Sequence, residues 1–482
     1  MIMKQAARQG WQLPGRRRPQ NGHRLIAVVT ALMLGLGLLA NALIAQTPFA
    51  NPYTYQASKA AGLSDALKLI TAEGVRPLVV KLSGDEFEGR GAGYAGEKKA
   101  AEFIANEFKR IGLKPAGDQV RGRRSYFQEF KFHPRHPVVP WEMLGSRNVI
   151  GFIEGEDSVL KEEIVVVGAH YDGQGRLGQA DPTRFPPVDS NTKDDPIWNS
   201  ANDNLTGVSA MVAVARAIKQ GRIRPQRSIL FVAFGAEEHG LSGSIRYVTQ
   251  PSFALARHVA MINFEKLGRA PDKPFIAAAS GTSPAWSELF QEASSLTGTQ
   301  IKPTVPFVIP DSDHYAFAAS GIPAIMLYVS GPDDAHRPND VAEKIDYARV
   351  AEFARYGFAL LVELANRPAR IPYADVRGLD PGLIAHLASD EEADRAGLKP
   401  PDSGLKVTGV IPGGFSDRSG LKAGDLIPKI AGTTFRRDMT LPMLQKMQME
   451  VVTGKRGMQL PTTILRDGKQ LELTLDLRRT PQ

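Results

Sequence analysis

The chain has 482 residues, more than one hydrophobic core normally holds, with 43% hydrophobic and 23% charged residues, so two or more ordinary globular domains are expected. It contains no cysteine, which excludes disulfides, thiolate nucleophiles, thiolate metal ligands and lipid attachment through Cys. The formal charge of +8 falls to +2 once residues 1–45, with six basic residues and no acid, are set aside; no Lys/Arg run with interleaved aromatics occurs elsewhere, so no nucleic-acid partner is expected.

At the N-terminus the cluster Arg16-Arg17-Arg18 and Arg24 precedes an almost wholly apolar stretch from Leu25 to Ala45. Basic residues followed by an apolar run are the pattern of an export signal. Ala40-Asn41-Ala42 offers a small-x-small cleavage site, whereas the run also approaches the ~20 residues that span a bilayer. A cleaved signal and an uncleaved inner-membrane anchor are both compatible with it. With positive charge retained inside, either delivers the remaining chain to the periplasm or the exterior.

Helical spacing of apolar residues recurs from Ser58 to Ile70 and from Glu97 to Ile111, the second run ending at Gly112. Between them, Leu82-Ser-Gly-Asp85-Glu86-Phe-Glu88-Gly89-Arg90-Gly91 reads as a polar loop. Strand-like segments follow at Asn148 to Phe152, Glu163 to Ala169, Ser228 to Phe234, Val259 to Phe264, Phe275 to Ala279 and Ala324 to Val329. Several are near-continuous apolar runs, as strands buried on both faces should be. Helical patterns fall at Thr206 to Lys219 and Arg349 to Leu364. Alternating strands and helices predict an α/β fold with a mostly parallel central sheet flanked by helices.

The prolines of Asn366-Arg-Pro-Ala-Arg-Ile-Pro end this pattern, predicting a linker over 371–400 after a domain at 46–370. From Gly404 to Leu477 short alternating runs with glycine turns predict a small β-rich module, taken as 401–482. Gly404-Leu-Lys-Val-Thr-Gly-Val-Ile-Pro-Gly-Gly, Ser419-Gly-Leu-Lys-Ala-Gly-Asp-Leu-Ile and Arg466-Asp-Gly-Lys-Gln resemble a bacterial PDZ domain. The resemblance implies capture of an extended peptide or partner by strand addition. It departs at Gly414-Phe-Ser-Asp-Arg-Ser419, and Pro428 interrupts a strand.

Residues able to carry chemistry cluster after the buried strands, where open α/β sheets collect ligands. His170 follows Glu163 to Ala169, and Asp172 can reach its free ring nitrogen, the usual carboxylate support of a ligating imidazole. Asp203, in Asn199-Ser-Ala-Asn-Asp203-Asn204-Leu-Thr206-Gly207, could simply cap the helix that follows. Capping does not explain its company, and since a carboxylate's two oxygens can bridge two metal ions, Asp203 is assigned that bridging role. Glu237 and Glu238 follow the strand ending at Phe234. Adjacent side chains diverge, so Glu238 is assigned as a ligand and Glu237 as the general base facing the attacking water. Glu265 and His336 complete a set of imidazoles and carboxylates suited to hydrolytic zinc.

Taken together, Leu82-Ser-Gly-Asp-Glu-Phe-Glu-Gly-Arg, Gly112-Leu-Lys-Pro-Ala-Gly, His170-Tyr-Asp, Asp203-Asn-x-Thr-Gly, Phe234-Gly-Ala-Glu-Glu-x-Gly-Leu-x-Gly-Ser244, Ser312-Asp-His-Tyr315 and His336-Arg-Pro-Asn-Asp340 resemble the di-zinc aminopeptidase family that also contains glutamate carboxypeptidase. The resemblance implies a zinc aminopeptidase (phosphorylase/hydrolase-like) fold and two zinc ions. His170 and Glu265 would hold one, Glu238 and His336 the other, Asp203 would bridge them, and Glu237 would be the base. Asp313 and His314 would shape the substrate pocket. His239 and His258 carry no such support and are read as structural.

Glu265-Lys266 departs from the family pattern of Asp followed usually by Met. A glutamate must fit one more methylene, and Lys266 adds a positive charge that strand alternation would turn away from Glu265. The activity implied is removal of N-terminal residues from peptides by a metal-activated water. Carboxypeptidase or glutaminyl cyclase chemistry on the same fold, and an inactive peptide-binding scaffold, are the alternatives.

Overall fold

The computed structural model describes residues 62–132, 143–176, 195–270, 272–303, 311–329, 335–374, 383–410, 415–439 and 459–476, with Gln179 and Val308 in addition. The apolar N-terminal stretch read as signal or anchor lies outside the described residues. Among the described residues no helix is long and apolar enough to cross a membrane.

The first described elements are helices α1 (Leu63–Lys68), α2 (Ala72–Leu82) and α3 (Ala95–Ile111). Thr71 caps α2 by accepting from the Gly74 N–H at 3.1 Å, and Gly112 ends α3 at φ 85°. Strands β1 (Lys114–Pro115), β2 (Phe127–Phe132), β3 (Leu144–Ile153), β4 (Ile164–His170), β5 (Ser228–Phe234), β6 (His258–Glu265), β7 (Phe275–Ala278), β8 (Ile301–Pro303) and β9 (Ala324–Val329) form one sheet of nine. Its order is β1-β3-β5-β4-β6-β9-β7-β8, with β2 beside β3. The central run β5-β4-β6-β9 is parallel throughout. Helices α4 (Thr206–Gln220), α5 (Ser242–Thr249), α6 (Trp286–Thr297), α7 (His314–Ala319) and α8 (Tyr347–Asn366) complete this part.

Strand alternation assigns each face its own core. Val165, Val167 and Ala169 of β4 pack with Phe231 and Ala233 of β5 against residues of α4 and α8 such as Val212 and Leu360. Ile164 and Val166, with Leu230, Val232 and Phe234, pack on the opposite face against Tyr247, Val248 and Phe317 from α5 and α7. Apolar residues at every strand position are thus consumed by two helix layers, which is why these strands read as continuous hydrophobic runs. The parallel pairing sets His170 opposite Phe234, so both strands end level at the same edge.

Gly357 of α8 lies directly over Phe264, next to Glu265: a Cβ at 357 would come within 2.3 Å of the Phe264 ring. Gly357→Ala should therefore cost about 1–3 kcal/mol by overpacking, more than the ~1 kcal/mol that alanine gains in a helix interior. Urea unfolding of the variant checks this, and an unchanged midpoint would show that the ring moves freely.

The C-terminal module is a six-stranded sheet: β10 (Leu383–Leu387), β11 (Leu405–Val410), β12 (Leu426–Ile430), β13 (Thr433–Thr434), β14 (Gln459–Arg466) and β15 (Lys469–Asp476), ordered β10-β11-β12-β14-β15 with β13 beside β12. Strand β10 falls within the stretch read as linker, because its pairing with β11 is made across a sequence separation that periodicity does not reveal. Val407, Leu421, Ile427, Ile430, Phe435, Leu460, Ile464 and Leu475 form its core. Gly420 and Gly424 make their turns at φ 84° and 98°. Strand β12 runs through Pro428 rather than stopping there. The register with β14 shifts between Leu426 and Lys429, and such a bulge is where a strand tolerates proline. Asp425 anchors this turn, accepting from Arg466 Nε and Nη2, each at 2.7 Å, and from the Lys422 N–H at 2.8 Å.

Candidate metal centre

His170 closes β4 and Glu265 closes β6, while Glu237 and Glu238 lie just beyond β5 and His336 in the segment after β9. Asp203 sits in the single wide turn Ala201–Leu205 that leads into α4, and its peptide bond to Asn204 is cis. Side chains from five separate places along the chain therefore converge at the carboxyl edge of the parallel strands. They form two donor groups: His170, Asp203 and Glu265, and Asp203, Glu238 and His336, each with one ligand atom per residue within 4.8 Å of the others.

The aspartate is shared through different oxygens. Its Oδ1 lies 3.2 Å from His170 Nε2, and its Oδ2 lies 3.2 Å from His336 Nε2. Glu265 Oε1 is 3.4 Å from His170 Nε2, and Glu238 Oε2 is 2.9 Å from His336 Nε2. Glu237 Oε2 approaches His170 Nε2 to 3.9 Å, beside the first group.

Several residues aim these donors in ways that the sequence does not announce. Asp172 lies 3.6 Å from His170 Nδ1, beyond a hydrogen bond; its carboxylate instead accepts the backbone N–H of Glu237 at 3.0 Å and of Glu238 at 3.2 Å. It thereby fixes the pair of glutamates as well as facing the imidazole. Asp340 accepts the N–H of Asn202 at 2.8 Å and of Asp203 at 3.0 Å, tying the His336 segment to the Asp203 turn. Its only signal in the sequence is its place in His336-Arg-Pro-Asn-Asp340. Buried Arg90 donates to the carbonyls of Tyr171 (2.8 Å), Leu82 (2.9 Å), Asn199 (2.9 Å) and Ser200 (2.8 Å). The stretch read as a polar loop is thus packed inward, with Phe87, Gly89 and Arg90 buried.

Glu265 is held asymmetrically. Ser312 Oγ donates to its Oε2 at 2.7 Å and Asn204 Nδ2 to the same oxygen at 3.2 Å, leaving Oε1 turned to His170. This clamp accommodates the longer side chain. Lys266 does not turn away: β6 ends at Glu265, and Lys266 takes a left-handed backbone conformation at φ 48° that alternation along a strand does not describe. Its Nζ comes to 3.8 Å from Glu265 Oε1 and 3.9 Å from Asp203 Oδ2.

Asp313 and His314 are both buried at the start of α7. Burial pushes the Asp313 carboxyl up to about 7 against the attraction of His170. Burial lowers His314 to about 3, so it is a neutral imidazole, 3.9 Å from Asp311. His239 packs its ring on Phe132 with centroids 5.3 Å apart. His258 lies between Tyr247 Oη (2.8 Å) and the Leu255 carbonyl (3.1 Å), where burial keeps it neutral at about 4.

The two glutamates at 237 and 238 are driven apart. Burial, reinforced by Glu238, Asp313 and Glu265, holds Glu237 well above the ordinary carboxylate range despite His170. Burial also opposes ionisation of Glu238, but His336 overcomes it and lowers that carboxyl to about 2. Opposed shifts in neighbouring acids separate a proton carrier from a permanent anion. Burial works against protonation of His336, yet Glu238 and Asp203 lift it to about 10, so the buried acids demand a cation. Glu238 Oε1 is buried with no hydrogen-bond partner among the described residues. Such an acceptor, imidazole and carboxylate donors, and three protein ligands per group fit catalytic zinc.

Two histidine-carboxylate groups joined through one aspartate at the edge of an α/β sheet are a candidate paired metal centre. Residues 148–361 match the model of peptidase family M28. The chain is 28% identical over 218 residues to aminopeptidase YwaD of Bacillus subtilis, covering 43% of this chain and 42% of that protein. With a probable leucine aminopeptidase of Trichophyton verrucosum it shares 25% over 309 residues, 57% of this chain and 82% of the relative. The crystal structure of the Legionella pneumophila LapA aminopeptidase superposes with a TM-score of 0.51 at 18% identity, covering 67% of this chain and 78% of that one, and shares the fold. The chain spans less than half the length of YwaD.

Proposed function

We propose that the chain is an exported zinc-dependent aminopeptidase. The observation that carries this reading is the pair of donor groups joined through the two oxygens of Asp203, with Glu237 alongside. His170, Asp203 and Glu265 would hold one zinc ion, and Asp203, Glu238 and His336 the other. Zinc bound there lowers the pKa of a water and polarises the scissile carbonyl. Glu237 takes a proton from the attacking water, whose oxygen adds to the carbonyl carbon. The C–N bond then breaks as Glu237 returns the proton to the leaving amine. Asp172 holds the backbone of both glutamates in place for this. Asp313, in the electrostatic surroundings of Glu237, contributes to the substrate side of the pocket together with His314.

Export rests on the basic cluster and apolar run before residue 46. For the C-terminal module we read a PDZ-like peptide-binding role, supported by the motif resemblance and the closed core around Val407 and Ile427.

The test is a panel of free and N-acetylated peptides with zinc content measured in parallel. Release of N-terminal residues from free peptides only, abolished by chelation and restored by zinc, is expected. Cleavage from the C-terminus, or cyclisation of N-terminal glutamine, would move the assignment to another chemistry on this fold. A zinc-loaded protein that cleaves nothing would leave a peptide-binding scaffold.

A further inference from the structure

Glu97 is a buried acid that the proposed function does not use. It stands in the first turn of α3, is 3% exposed, and has no cation within ion-pair reach among the described residues. Its Oε2 accepts the Gly93 N–H at 2.6 Å, while its Oε1 meets Ser146 Oγ of β3 and lies 3.4 Å from Tyr171 Oη. The Tyr171 proton is spent on the Arg147 carbonyl at 2.7 Å. The surrounding charges offer no compensation. Asp172 has the same sign, Lys98 and Lys99 are exposed, the Arg147 guanidinium covers Phe127 and pairs with Glu129 at 3.3 Å, and Arg90 is committed to four carbonyls. A buried carboxyl without a counter-charge is held neutral. Burial, with Asp172 behind it, pushes Glu97 up to about 8.

This acid and Ser146 lie beneath the turn that carries the two glutamates. Gly235 packs directly on the pair: a Cβ there would come within 2.5 Å of Ser146 Oγ and 2.8 Å of Glu97 Oε1. Ala236 follows in a left-handed conformation at φ 54°, and Glu237 and Glu238 come next. So close a contact leaves no layer of water between turn and acid, and a charge on Glu97 can be hydrated only by displacing one of them. We infer that Glu97 is a positioning residue for Glu237: as a neutral acid joined to Ser146 it forms the floor on which the Gly235-Ala236 turn rests, and its ionisation lifts that turn and takes the base out of line. This rests on the reading of Glu237 as the base.

Steady-state kinetics across pH on the full zinc-loaded chain tests it, with hydrogen exchange of residues 235–241 followed by mass spectrometry on the same protein. From about pH 7 to about pH 9 wild type should lose roughly tenfold in kcat with KM little changed, as ionisation of one group between those values implies, and protection of 235–241 should fall in step. Glu97→Gln, neutral at every pH and nearly the same shape, should keep both kcat and protection at about pH 9. Ser146→Ala removes a donor to the charged form, so its alkaline limb should move to higher pH, and this variant decides the matter if Glu97→Gln folds poorly. The same alkaline loss in Glu97→Gln, an unmoved limb in Ser146→Ala, or constant protection in wild type would overturn the inference. Exchange that behaves as expected in a chain that cleaves no peptide would instead overturn the aminopeptidase reading and leave Glu97 as the support of the turn.

Discussion

Glu237→Gln is expected to lower kcat by roughly a hundred- to ten-thousand-fold, the range carried by a general base, with little change in KM and with zinc content retained. The substitution keeps the shape of the side chain and the N–H bond to Asp172 Oδ1 at 3.0 Å, so what it removes is the proton acceptor. Burial and the surrounding acids hold Glu237 well above the ordinary carboxylate range, which suits a group that must both take and return a proton. Its neighbour should behave differently. Glu238 is an anion bound to His336 at 2.9 Å, so its amide variant should lose metal as well as rate. Steady-state kinetics with metal content on the same preparations distinguishes the two. Activity of Glu237→Gln within tenfold of wild type would remove it from the base role, and loss of zinc would make it a ligand.

Arg90→Met should destabilise the domain by about 3–5 kcal/mol. The guanidinium is wholly buried and remains a cation, burial lowering it only to about 10 against the pull of Asp172, Asp340, Asp203 and Glu238. It donates to four carbonyls from three segments, at Leu82, Tyr171 and Asn199-Ser200. Methionine fills much of the volume and satisfies none of them, and each stranded carbonyl costs about 1 kcal/mol or more. Because Tyr171 follows His170 and Ser200 precedes the Asp203 turn, surviving folded protein should also bind zinc more weakly. A lysine side chain keeps the charge without the planar fork, so Arg90→Lys should fall between. Urea unfolding that shifts by less than about 1 kcal/mol for Arg90→Met would show the four carbonyls finding water instead.

Legibility of the fold follows burial. Strands such as Glu163 to Ala169 and Ser228 to Phe234 are continuous apolar runs because helices cover both faces, and the amphipathic runs Glu97 to Ile111 and Thr206 to Lys219 lie where α3 and α4 form. Helix α2 is hidden in the sequence because Gly74 and Pro77 read as breakers, although Thr71 caps it and Val75, Leu78, Val79 and Leu82 pack inward. Strand β10 is hidden because only its partner β11 defines it.

The candidate donors can be named from the sequence because chemistry restricts them: a chain without cysteine must offer His, Asp and Glu to zinc, and these stand just past buried strands. Their grouping, and the direction each oxygen faces, come only from tertiary structure. Parallel register brings His170 level with Phe234, Asp340 draws two distant loops together, and Ser312 with Asn204 decides which Glu265 oxygen is presented. Lys266 shows the difference most sharply. Periodicity turns it away from Glu265, but periodicity holds only within a strand. The strand stops one residue earlier, and a left-handed turn brings the ammonium back onto the centre.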